Sequence, residues 1–131
     1  MKVLIADPDW RFTRKATAFL ESRAHDVVVQ PVGRALIKQV RRWRPDVVIV
    51  AVELAEDGLL EALQAGPGRP AVVLTSWLDG YGPAWRAWRR GADELLIKPV
   101  LASADLQQAL VIARQRAAAQ WPARAAAAQP A

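Results

Sequence analysis

Side chains able to handle a proton, a metal ion or a phosphoryl group fall where apolar runs stop. Asp7 and Asp9 follow Lys2–Ala6, Glu53 follows the run 46–52, Thr75 and Ser76 close the run 71–76, and Lys98 follows the run 94–97. Carboxylates supply hard oxygen ligands for Mg²⁺ and can attack phosphorus, while a hydroxyl and an ammonium hold anionic oxygens. The chain has no cysteine and one histidine. That composition excludes disulfides, thiolate zinc sites and histidine clusters. There is no Gly-rich phosphate loop and no Ser/His/Asp set, so a metabolic enzyme is not expected. His25 stands in the turn before the second apolar run and reads as a solvated loop residue.

For these side chains to meet, the runs must lie side by side. Segments 2–6, 26–30, 46–52, 71–76 and 94–97 are short and largely apolar, as strands buried on both faces are. Between them the spacing turns helical. Phe12, Ala16, Phe19 and Leu20 repeat at i, i+4, i+7 and i+8, with Asp9 as the expected N-cap. Leu36, Val40 and Trp43 share a face in 34–43, which Pro45 ends, and a short helix is expected over 58–63. Pro83 opens a helix over 83–90 that Gly91 stops, and Leu106, Leu110 and Ala113 point inward from 103–116. Five β-α alternations predict an α/β fold: a doubly wound five-stranded parallel sheet, order 2-1-3-4-5, with helices on both faces. In such sheets the site lies beyond the strand C-terminal ends, at the switch point between the first and third strands. The 131 residues show no internal repeat and read as one domain over 1–116. An Ala/Pro-rich tail follows over 117–131, in which Pro122 should stop the last helix and the remainder should be disordered.

This constellation resembles the receiver domain of bacterial response regulators, over about residues 1–116. The resemblance rests on the acidic turn Asp7-Pro8-Asp9, on Pro45-Asp46 leading into the third strand, and on Asp57-Gly58 opening the third helix. It rests also on Leu74-Thr75 and on Gly91-Ala92-Asp93 running to Lys98-Pro99. It implies phosphorelay signalling: an aspartate ending the third strand takes a phosphoryl group from a histidine kinase, and two acidic residues after the first strand hold Mg²⁺. Thr or Ser and Lys touch the phosphoryl oxygens, and an aromatic residue before the Lys-Pro pair reports the change. The chain departs from that pattern at three places: the acceptor position falls on Ala51, the second acidic position on Pro8 and the aromatic position on Leu95. Alanine offers no nucleophile. The resemblance therefore implies a degenerate pseudo-receiver, not an enzyme, without cofactor or metal. A displaced acceptor among Glu53, Glu56 and Asp57 is the alternative. Lys98, deprived of its acceptor aspartate, should pair structurally with Asp7.

With chemistry removed, surfaces carry the function. The chain has six tryptophans. Trp77, Trp85 and Trp88 cluster around the helix 83–90 with Tyr81, and together with Leu95 they mark a candidate interface, since Trp is favoured at binding hot spots. In receiver domains the fourth helix, fifth strand and fifth helix form dimers and meet output partners, so a kinase, another receiver or a second copy is the expected partner. Net charge is +5, made up of +6 over residues 1–44, −3 over 45–101 and +2 over 102–131. Arg34, Lys38, Arg41 and Arg42 form a basic stripe, and nucleic-acid binding through it is the competing reading. Basic residues at a helix C-terminus also simply complement the dipole. The opening apolar run is too short for a secretory signal, and no stretch approaches the roughly 20 residues of a membrane span. A cytoplasmic location is expected.

Overall fold

The computed structural model describes residues 1–30, 35–55, 58–65, 68–77, 82, 86, 88 and 91–128, with side chains to residue 119. Five strands appear: β1 Lys2–Ala6, β2 Asp26–Val29, β3 Val47–Ala51, β4 Ala71–Trp77 and β5 Glu94–Lys98. They pair in parallel in the order β2-β1-β3-β4-β5, as the β-α alternation predicts. The helices are α1 Trp10–Ser22, α2 Leu36–Trp43, α3 Leu59–Gln64 and α4 Ser103–Ala128, with a 3₁₀ turn at Val52–Leu54.

Alternation along the central strands divides the core in two. Val3, Ile5, Val47, Ile49 and Val73 point to one face, where Phe12, Ala16 and Leu20 of α1 meet Leu106 and Leu110 of α4. Leu4, Val48, Val50, Val72 and Leu74 point to the other, against Leu36 and Val40 of α2 and Leu59, Leu60 and Leu63 of α3. All five residues of β3 are buried, as a strand covered on both faces requires. The periodicity read in α1 and α2 is thus the packing face in both.

At the lower edge, away from the strand C-termini, Asp93 ties β5 to β4. Its carboxylate accepts both Arg69 guanidinium nitrogens at 2.9 Å and the Val72 amide at 2.8 Å. Gly91 just before it takes φ +141°, a conformation that residues with a side chain rarely adopt, and a Cβ there would also displace the end of the Gln64 side chain.

The last helix departs from expectation. It runs to Ala128 rather than stopping near Pro122. Alanine has the highest helix propensity, and the run 117–128 is mostly alanine, which offsets the one hydrogen bond a proline removes. The helix expected over 83–90 falls largely outside the described residues.

His25 Nδ1 lies 3.0 Å from the Met1 amine. Partial burial, and secondarily the Met1 ammonium, hold its pKa below the ordinary 6.5. The unfolded chain therefore takes up this proton more readily than the folded one, and stability falls as pH drops through that ordinary value. His25→Asn should flatten the stability profile between about pH 7.5 and pH 5.5. The check is the urea midpoint at both ends, and equal slopes for the two proteins would count against the contact.

Candidate functional site

The site is built by register. Ala6 pairs with Val50, so Asp7 and Ala51 leave adjacent strands at the same level. Ala51 pairs in turn with Thr75, and Trp77 with Lys98. Strands β1, β3, β4 and β5 thus deliver Asp7, Ala51, Thr75 and Lys98 to one end of the sheet, at the predicted switch point.

Asp7 is the hub. Its carboxylate accepts the Thr75 hydroxyl at 2.7 Å, the Lys98 ammonium at 3.1 and 3.3 Å, and the Asp9 amide at 2.9 Å. The Asp7 carbonyl accepts the Thr13 hydroxyl at 3.3 Å, which fastens α1 to the same point. Asp7 and Lys98 are each 2 % exposed, and Thr75 is fully buried. A buried ion pair persists only when its remaining polar atoms are satisfied, and here they are. Lys98 also faces two rings, Trp77 at 5.2 Å and Phe12 at 5.5 Å from Nζ to ring centre. The peptide bond from Lys98 to Pro99 is cis.

Asp9 serves twice. It caps α1 by accepting the Arg11 and Phe12 amides at 3.1 and 3.2 Å, and its other oxygen lies 3.5 Å from Lys98. Both the cap and the Asp7–Lys98 pair match the sequence reading. Glu53 does not join them: it is exposed on the 3₁₀ turn, since that turn carries it away from the strand axis. Glu56 and Asp57 lie outside the described residues. Among the described residues no group of three or more carboxylates or imidazoles is placed to hold a metal ion.

The aromatic set divides. Trp77 is exposed at the end of β4, beside Lys98 and α1. Trp88 is half-buried against the core face of α2 and α3, with the Arg116 guanidinium over its ring at 5.7 Å. Leu95 is likewise half-buried against that core. Tyr81 and Trp85 lie outside the described residues. Lys38, Arg41 and Arg42 are exposed on α2, with Arg41 and Arg42 in its last turn, and Arg34 lies outside the described residues. Sequence reasoning missed Trp10, the most exposed of the described tryptophans at 64 %. The signal was present: Trp10 precedes Phe12 by two residues, about 200° round the helix from the buried stripe.

Set against solved structures, the fold is a known one. The signal receiver domain of a modulated diguanylate cyclase from Desulfovibrio desulfuricans superposes with a TM-score of 0.74 at 24 % identity, covering 91 % of this chain and 97 % of that one. A response regulator receiver domain from Clostridium thermocellum superposes with a TM-score of 0.69 at 23 % identity, covering 88 % and 94 %. The fold is that of a receiver domain. No family model matches the chain. Among curated proteins, the heme response regulator HssR of Staphylococcus aureus is 28 % identical over 102 residues, covering 76 % of this chain and 45 % of the relative. The chain thus aligns with under half the length of the curated relatives it matches. The buried Asp7, Thr75 and Lys98 lie together at the C-terminal strand ends of that fold, and Ala51 ends β3 beside them.

Proposed function

We propose that this chain is a pseudo-receiver of two-component or phosphorelay signalling, a cytoplasmic, non-enzymatic module that binds signalling proteins without being switched by phosphorylation. The observation that carries this is Ala51. It sits fully buried at the end of β3, beside the Asp7 hub, with a methyl group where a nucleophile is needed. The residues around it also do not fit Mg²⁺. Both Asp7 oxygens are engaged by Thr75, Lys98 and the Asp9 amide, Asp9 is committed to capping α1, and Pro8 offers no carboxylate. An ammonium at 3.1 Å from Asp7 already balances the charge that a cation would meet. The pocket then has one resting arrangement, and the chain presents a constant surface to a kinase, another receiver or a second copy.

The test is a tagged pull-down with and without a small phosphodonor and Mg²⁺, and with and without nuclease. The same protein partners are expected under all conditions. Partners that appear only with the phosphodonor would overturn the unswitched reading, and partners lost with nuclease would favour nucleic-acid binding through the α2 stripe.

A further inference from the structure

The N-terminal end of the sheet, opposite the Asp7 hub, carries a second cavity. It measures about 530 Å³ and opens between the segments entering β3 and β4 and the outer part of α4. Small residues clear the space, with Gly68, Ala71, Ala117 and Ala118 lining it, and Arg44, Arg69 and Arg114 surround it. A smaller cavity of about 210 Å³ shares Arg44 and Arg69, adds Arg41, and is walled by Ile37, Leu63 and Pro70. Arg41, Arg44 and Arg114 are exposed, and among the described residues none of them forms an ion pair. Asp46 is the one carboxylate lining either cavity among the described residues, and one of its oxygens accepts the Lys2 amide at 2.8 Å. Arg69 is different. Its side chain is only 2 % exposed and is held rigidly by Asp93, yet its buried Nε has no acceptor among the described residues. Arg44 is unusual in its backbone. It caps α2 in the left-handed region, at φ +55° and ψ +63°, where glycine or asparagine is the ordinary choice. An arginine held there costs stability that glycine would not, which marks its side chain as useful.

We propose that these joined cavities bind a nucleoside polyphosphate, its phosphoryl groups on Arg44, Arg69 and Arg114 and its nucleoside against Arg41, Ile37 and Pro70. The guanidinium fork matches phosphoryl oxygens two at a time, and its flat face stacks on aromatic rings. Several hundred Å³ with apolar walls and a few convergent charges is the size and make-up of a small-molecule site. A nucleic-acid strand instead follows an open basic groove, whereas here one arginine is almost wholly buried in a recess. The site lies at the far end of the sheet from Asp7 and Lys98, so the proposal depends neither on the phosphorylation state of that pocket nor on the chain's protein partners.

Calorimetric titration of the full chain in Mg²⁺-free buffer tests it, with ATP and GTP as probes. Saturable binding of at least one is expected, weakening with added salt. Arg114→Gln should lower the affinity about tenfold, as the loss of one charge-assisted hydrogen bond does. Arg44→Gly should lower it by a similar factor while the urea midpoint stays level or rises, since glycine suits the positive φ. A merely structural Arg44 would not give that split. Arg14→Gln removes the same charge from the exposed face of α1, away from both cavities, and should bind like the parent. Circular dichroism confirms that each variant is folded. Absence of saturation by either nucleotide at millimolar concentration would overturn the proposal. So would a loss in Arg14→Gln equal to that in Arg114→Gln, which would mean unspecific attraction between charges. Inorganic triphosphate binding as tightly as the nucleotides would remove the nucleoside from the site, and oligothymidylate binding more tightly than they do would make this a nucleic-acid surface. Either result contradicts the proposal.

Discussion

Lys98→Ala should destabilise the chain by roughly 3–5 kcal/mol, the usual cost of stranding a buried charge. The substitution removes the ammonium at 3.1 Å from an Asp7 carboxylate that is almost wholly buried. Thr75 and the Asp9 amide still donate to that carboxylate, but neither carries a compensating charge. The loss also takes away the cation facing Phe12 and Trp77. Chemical denaturation reads the effect as a lowered midpoint at unchanged slope. Asp7→Asn/Lys98→Met should recover a substantial part of it, because the pair is then neutral, the asparagine oxygen can accept the Asp9 amide, and its NH2 can donate to the Thr75 hydroxyl once that hydroxyl rotates. An unchanged midpoint for Lys98→Ala would show that the pair does not hold the pocket. A double variant no better than the single one would show that charge is not the cause.

Asp93→Ala should cost a similar roughly 3–5 kcal/mol. The carboxylate takes three hydrogen bonds, two from Arg69 and one from the Val72 amide, and both ionic side chains are almost fully buried. Its removal leaves the guanidinium with the Pro70 carbonyl at 3.0 Å and no counter-charge, and leaves a strand amide without its partner. Hydrogen exchange at Val72 should accelerate along with the loss of global stability. The neighbouring pair supplies the contrast. Arg116 and Glu94 meet at 3.4 Å, and the Arg116 side chain is 45 % exposed. Solvent screens that pair, so Glu94→Gln should change stability by no more than about 1 kcal/mol. Equal effects at Asp93 and Glu94 would contradict the assignment of the buried pair as the clamp between β4 and β5.

Strand order, the two packing faces and the convergence of Asp7, Thr75 and Lys98 were legible in the sequence because they follow from local pattern. Short apolar runs alternating with helical stripes admit few connections, and the strand ends then fall in one place. The N-cap was legible for the same reason: an Asp just ahead of an apolar helical stripe has one favourable use. Features that depend on which way a side chain leaves its element were not legible. Glu53 looked equivalent to Asp7 in spacing, but the 3₁₀ turn redirects it to solvent. Leu95 and Trp88 looked like surface candidates, and core contacts claim part of each. Trp10 looked unremarkable beside a cap, yet the helix phase turns it outward to join Trp77 and Leu101 from two other segments. The end of α4 was not legible either: Pro122 signals a stop, and the helix continues to Ala128 through alanines whose propensities add.

On the proposed reading the pocket at the strand ends has no phosphoryl acceptor. The most direct test of that reading is to incubate the intact chain with Mg²⁺ and a small acyl phosphate and weigh it by mass spectrometry. A single unmodified species at all donor concentrations is the predicted result. A stable adduct of one phosphoryl group, mapped by peptide fragmentation to Glu53, Asp57 or any other carboxylate, would contradict it and return the chain to the switched receivers.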